Sequence, residues 1–392
     1  MTSREYDAAV IGLGGFGSAA LYWLSRQVGD RVIGFERFEL GHHNGASQDH
    51  SRIIRLSYHR PDYVRLARRA YQTWAEVEAA SGAKVVTRTG GLDLFPIGAA
   101  IPEVDYTSSM TAEGVPFERL DAAETMRRWP QWRLHEGTVS LFQPDGGIAN
   151  PNLGNAAHRR LAAVHGAEVR ERTEVERLAD TGSGIRVDLA GGETIVAGQV
   201  VIAADAWTNE LLASFDLRLP LTVTQEQVTY VGVPDPAVFA PERFPIWIWM
   251  DDPSFYGFPT YGEAGPKAAQ DVGGREVTPA TRTFETDPDT SRRLDSFIAR
   301  HLPDMVAPPI LTRTCLYTLT PDRDFVVDRV PDHPGVVVLL GAAHGFKYAS
   351  VLGRIAAELI VDGATPSAPE LEAFRIDRDV LRDPDPAPTF LI

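Results

Sequence analysis

Residues Tyr6 to Gly12 read YDAAVIG, a short apolar run that ends in glycine. LGGFGSAALYWLSRQ follows, with apolar and small residues at helical spacing, and then RVIGFE, a second short β-branched run. The order is strand, helix, strand. The first turn carries Gly12, Gly14 and Gly17 in G-x-G-x-x-G spacing. The first glycine allows a tight turn, the second lets a backbone approach a pyrophosphate, and the third lets helix and strand pack closely. The helix N-terminus then offers free N–H groups to phosphates. Glu36 ends the second strand, about twenty residues past the last glycine, where an acid binds ribose hydroxyls. This register points to a dinucleotide with an unphosphorylated ribose, FAD or NAD rather than NADP.

The rest of the composition narrows the class. At 392 residues the chain has room for roughly two domains and a large core. A net charge of −15 argues against a nucleic-acid or anionic-membrane partner, yet leaves room for a basic pocket that takes a small anion. No apolar run is long enough to span a bilayer. The start shows no secretory pattern of basic residues and a long apolar stretch. A single cysteine, Cys315, makes no internal disulfide and fits a reducing compartment. The expectation is a cytoplasmic protein, a monomer or weak homo-oligomer. The tail RDVLRDPDPAPTFLI is expected to be irregular.

Between Glu36 and the next helical pattern lies RFELGHHNGASQDHSRIIRLSYHRPDY, a long polar loop rather than a crossover helix, and long loops in compact domains are usually functional. Arg52 and Arg55 flank two isoleucines in it. They read either as surface arginines on a helical turn, or as one cofactor contact and one contact to a substrate anion.

The glycine turn, HHNGASQDHSRIIR, TCLYTLTPDRDFVVD and HGFKYAS stand in the order of the monomeric sarcosine oxidase and N-methyltryptophan oxidase family, flavin-dependent amine oxidases. The chain resembles that family from about residue 5 to about 375. The fold implied is α/β (α+β): a Rossmann-like FAD-binding domain with a discontinuous, β-sheet-rich substrate domain. The first takes residues 1–88, 146–218 and 322–392; the second takes 89–145 and 219–321. The local patterns agree, with strand–helix alternation in the first set and short alternating strands in the second. The resemblance implies FAD, bound covalently through Cys315. Further cofactor contacts are implied at Gly15, Arg37, His43, Ser47 and Arg52, and again at Val175 and Trp207. Gly345, Phe346 and Lys347 complete them.

The same resemblance implies a substrate site. Arg55 and Lys347 would clamp a carboxylate, and Tyr256 would line the cavity. His344 lies at the turn that carries Lys347. Lys267 would be the cation that promotes reaction with O2. The implied reaction is oxidation of a secondary or cyclic amino acid to an imine, with hydride passing to the flavin and O2 yielding hydrogen peroxide. Two departures stand out. Asp205 replaces a common glycine, and Asp271 replaces the histidine of the sarcosine-type enzymes. The second points to a substrate bulkier than sarcosine. Trp247 and Trp249, on one face of a strand, read as core or as cavity wall. Rival readings are a dehydrogenase with another electron acceptor and a non-catalytic nucleotide-binding protein. An NAD-dependent dehydrogenase fits the loop and Cys315 less well.

Overall fold

The structure is a computed structural model that describes residues 5–389. The first strand, Glu5–Ile11, is apolar from Ala8 to Ile11 because it is covered on both faces. It pairs in parallel with Val32–Phe35 on one side and Thr194–Ile202 on the other. Thr194–Ile202 changes neighbours along its length. Its first half runs antiparallel to Ile185–Leu189, and its last three residues run parallel to His333–Leu340. Among the described residues this makes an eight-stranded sheet, with Glu168–Arg170 at one edge and Val175–Asp180 at the other.

Helix Gly15–Val28 lies across this sheet and packs on the C-terminal helix Ala349–Asp362. The contact is close because Gly353 faces Ala19. A Cβ at Gly353 would stand 2.5 Å from the Ala19 carbonyl carbon. Helices Pro61–Ser81 and Pro151–Val164 cover the VRLARRAY and NLGNAAHRR stretches, the second capped by Asn150 Oδ1 on the Leu153 N–H. The tail holds one short helix, Asp379–Arg382, and no further regular structure to residue 389; residues 390–392 lie outside the described residues.

Among the described residues the second sheet is nine-stranded and draws on residues 91–143 and 222–319. Its register sorts side chains to faces. Ile248 opposes Tyr256, Tyr256 opposes Ala269, and Phe258 opposes Lys267, so these residues and Asp271 share one face. Trp247, Trp249 and Phe255 take the other face and pack on Trp132 and Phe297. Of the two readings of Trp247 and Trp249, the core reading holds: Ile248 lines the cavity, and both indoles are core. A three-stranded sheet, in the order Arg52–Ile54, Gly147–Ala149, Val86–Arg88, completes the strands. Arg52 and the residue before Arg55 are thus in a strand, not a helical turn.

The core under the first helix buries an imidazole. His158 is fully buried, its ring between Tyr22 and Trp74 at 5.8 and 5.0 Å, with Nε2 3.3 Å from Ser350 Oγ. Burial pushes it down to about 3, and it pushes His59 down to about 4. Below the ordinary 6.5 the unfolded chain takes up protons that these rings refuse, so stability falls as pH falls toward about 4. The slope is up to about 1.4 kcal/mol per pH unit for each ring. Chemical denaturation across this range should show the loss, and His158→Gln should flatten it; an unchanged slope in the variant would contradict the assignment.

Candidate active site

At the glycine turn, Gly12 has φ 86, and a Cβ there would meet the Ala203 carbonyl at 2.6 Å. A Cβ at Gly17 would lie 1.7 Å from the Gly12 carbonyl oxygen, so only hydrogen fits between helix and strand. Gly14 differs: a Cβ there would meet only Ser47, 3.4 Å from its Oγ. Gly14 thus opens onto a cavity of about 530 Å³, which Gly12, Gly15, Glu36, Arg37, Val175 and Trp207 also line. The Gly15 N–H donates to Ser47 Oγ at 2.9 Å. Burial works against the Glu36 charge, but donors outweigh it and hold the carboxyl below its usual range. They are His42 at 3.3 Å, the Phe38 N–H at 3.1 Å and the Leu13 N–H at 2.9 Å. Arg37 is held by Glu174 and Glu210 beside the Trp207 ring.

The polar loop forms the cavity's flank. Arg52 donates to the carbonyls of Ala46, Gln48 and Ser51, each at 2.8 Å, and so folds the loop back on itself. His43 meets Gln48, and Gln48 Nε2 donates to the Thr314 carbonyl at 3.0 Å, next to Cys315. His43, Ser47 and Arg52 all line the cavity. Asp205 lines it too, with φ 47, and burial pushes its carboxyl up to about 6.

The cavity continues to an inner end built by the turn before helix Ala349–Asp362. Gly345 packs so closely on Phe16 and Gly341 that a Cβ would stand 2.5 Å from the Phe16 ring. Phe346, Lys347 and His344 then face the cavity with Arg55, Tyr256 and Asp271. Arg55 is buried and paired with Asp93, which also accepts from Ser57. Asp271 is held by both terminal nitrogens of Arg323, at 2.9 Å each. The Tyr256 and Tyr317 hydroxyls stand 3.4 Å apart. Lys347 Nζ has no hydrogen-bond or ion-pair partner among the described residues; it lies 5.6 Å from the Tyr58 ring centroid. Burial, then the Arg55 and Arg323 charges, bring its ammonium down to about 7. His344 is pushed well below its usual value by burial, and its Nε2–H donates to the Arg323 carbonyl at 2.9 Å.

Gly17, Lys267 and Cys315 sit behind this lining. Lys267 is 1% exposed and donates to Asp49 Oδ2 at 2.8 Å and to the Ser51 carbonyl at 3.0 Å. Burial lowers it to about 8 although Asp49 opposes the change. Cys315 is 8% exposed, and burial pushes its thiol up to about 11 against the nearby Arg52 charge. Sequence reasoning missed Asp49, Asp93 and Arg323, the partners of Lys267, Arg55 and Asp271. An acid or base inside a motif was the only available hint. Asp49 adds a left-handed φ of 88 and accepts from the Tyr230 hydroxyl at 2.6 Å, a strained backbone fixed by its partners.

The family model for FAD dependent oxidoreductases (DAO) matches residues 7–359. The chain belongs to the FAD-dependent oxidoreductase family. It is 37% identical to a monomeric sarcosine oxidase of Streptomyces avermitilis over 93% of this chain and 95% of that one. It is 31% identical to the peroxisomal sarcosine oxidase of Homo sapiens, covering 95% and 96%. Among solved structures it resembles NikD, an unusual amino acid oxidase essential for nikkomycin biosynthesis, with a TM-score of 0.84, 26% identity and 95% and 98% coverage. The residues fit FAD: the Gly14 opening leaves room for a pyrophosphate, and Glu36 is a charged acceptor at the second strand's end. The cavity also runs on past the turn to a second, polar end.

The Lys267–Asp49 pair is testable by itself. Asp49→Asn leaves a buried ammonium without its counter-ion and should cost about 3–5 kcal/mol in urea unfolding. Asp49→Asn combined with Lys267→Met should cost less than the two single changes summed. Additivity within about 0.5 kcal/mol would show that the two groups are not coupled.

Proposed function

We propose that this FAD-dependent oxidoreductase oxidises a secondary or cyclic amino acid, with FAD attached through Cys315 and O2 as acceptor. The observation that carries the reading is the inner end of the cavity. Lys347, a buried cation with no partner among the described residues, stands there beside Arg55, where an anion would be held. A carboxylate gains most from a cation that has no other partner and sits away from water. The names of the sarcosine oxidase relatives support an amino-acid substrate.

FAD, held along Gly14, Gly15 and Glu36, would supply the two-electron acceptor needed to turn the substrate amine into an imine. The chain's own residues bind and orient. Lys347 meets the carboxylate, and Arg55, held in place by Asp93, takes the second position of the clamp. Tyr256, Tyr317 and Ile248 wall the amine side, and Asp271 offers an acceptor there. His344 stays neutral and fixes the turn that carries Lys347. Lys267 would place positive charge behind the loop that flanks the cofactor, which favours electron transfer to O2. Its pairing with Asp49 favours a second reading, in which an acceptor other than O2 takes the electrons.

Anaerobic addition of sarcosine, L-proline, L-pipecolate or N-methyltryptophan should bleach the yellow flavin, with the bulkier compounds ahead of sarcosine. Admission of air should restore the colour with one peroxide formed per flavin. No bleaching by any of the four would refute an amino-acid substrate, and slow recolouring without peroxide would favour the second reading. After acid precipitation the wild-type pellet should stay yellow and the Cys315→Ser pellet should lose its colour; a colourless wild-type pellet would remove the covalent bond from the account.

A further inference from the structure

An amine gives up a hydride only when it is neutral, so a lone carboxylate on the cavity wall works against the reaction by favouring the ammonium form. Asp271 is such a carboxylate. It ends strand Lys267–Asp271 on the face shared with Ile248 and Tyr256, and it lines the cavity. It is also fully engaged: each oxygen lies 2.9 Å from a separate terminal nitrogen of Arg323, whose side chain is 3% exposed.

The turn that supplies Arg323 is built for this contact. Residues 322–324 read Asp-Arg-Asp, and each acid has its own partner elsewhere. Asp322 accepts from Arg378 at 2.7 and 2.9 Å. Asp324 accepts from Arg60 at 2.6 Å and from the Tyr63 hydroxyl at 2.7 Å. Arg323 itself reaches across to Asp271 from a backbone at φ 59. The His344 bond to the Arg323 carbonyl ties this turn to the loop that carries Lys347.

We propose that Arg323 is a positioning residue that acts through Asp271: it cancels the carboxylate's charge while holding its oxygens still, so that a substrate amine binds there in its neutral form. The inference rests on the amino-acid reading above. Among the described residues, Glu226, Lys347, Tyr256, Tyr317 and His344 also face the pair. Glu226 is fixed by Thr224 Oγ1 at 2.7 Å and the Gly274 N–H at 2.9 Å, and the substitutions below leave all five in place.

The test is the pH dependence of anaerobic flavin bleaching by L-proline and sarcosine in rapid mixing, with ligand affinity and limiting rate read separately. Arg323→Gln leaves Asp271 as an uncompensated anion, so the amine holds its proton longer. Its profile should move up by about one pH unit, a roughly tenfold loss of rate on the acid side. Asp271→Asn removes the anion that faces Arg323 and should move the profile the other way. The double variant should return close to wild type, and Arg323→Lys should stay there. Opposite shifts that cancel are beyond a merely structural role. Should Arg323→Gln not fold, the downward shift in Asp271→Asn and the unmoved Arg323→Lys still decide. Uniformly slower bleaching with an unmoved profile would overturn the proposal and spare the amino-acid reading. A wild type that none of L-proline, sarcosine, L-pipecolate and N-methyltryptophan bleaches would overturn both.

Discussion

Burying a guanidinium or an ammonium costs several kcal/mol unless a carboxylate goes with it. Three such pairs surround the cavity, and each joins separate parts of the chain. Arg55 follows a strand of the three-stranded sheet, and Asp93 lies in the nine-stranded one. Lys267 belongs to the nine-stranded sheet, and Asp49 to the polar loop after the first β-α-β unit. Arg323 joins the turn after strand Pro309–Leu319 to Asp271. A pair of this kind is lost as a whole if either layer moves, so the charges hold the walls of the cavity in register. They also cancel charge on the walls they join, where Lys347 has no such partner among the described residues.

That balance explains why positive groups can crowd one pocket of a protein whose net charge is −15. Arg52 is spent on loop carbonyls and Arg37 on two glutamates. Arg55 and Arg323 carry carboxylates of their own. Among the described residues Lys347 alone of these cations meets none, and it stands where the glycine loop turns into the last long helix. Burial, with the Arg55 and Arg323 charges behind it, lowers its ammonium.

The glycine turn, Glu36 and the helices at Pro61 and Pro151 were legible because their signals are local. Spacing, caps and acid position all lie within about twenty residues. The faces of Trp247 and Trp249 were not legible. Alternation shows that they share a face, and only the register against Tyr256 shows which face meets the cavity. The charge partners were hidden for a different reason. Asp93 is 38 residues from Arg55, and Asp49 is 218 from Lys267, and no periodicity links such positions. Arg52 appeared as a ligand contact; its bonds to three loop carbonyls come from a turn geometry that the letters do not encode. The family resemblance named residues that stand around the cavity, but not what each is already bonded to.

The central claim is that Lys347 is the cation that reads the substrate anion. The most direct measurement is the affinity of wild type and Lys347→Met for propionate, a carboxylate without an amine, on either side of about pH 7. Above that pH free Lys347 has lost its proton and must regain it to hold an anion, so wild-type affinity should fall as pH rises, while Lys347→Met should bind weakly at every pH. Wild-type affinity that ignores pH, or a Lys347→Met variant that keeps the same fall, would contradict the account.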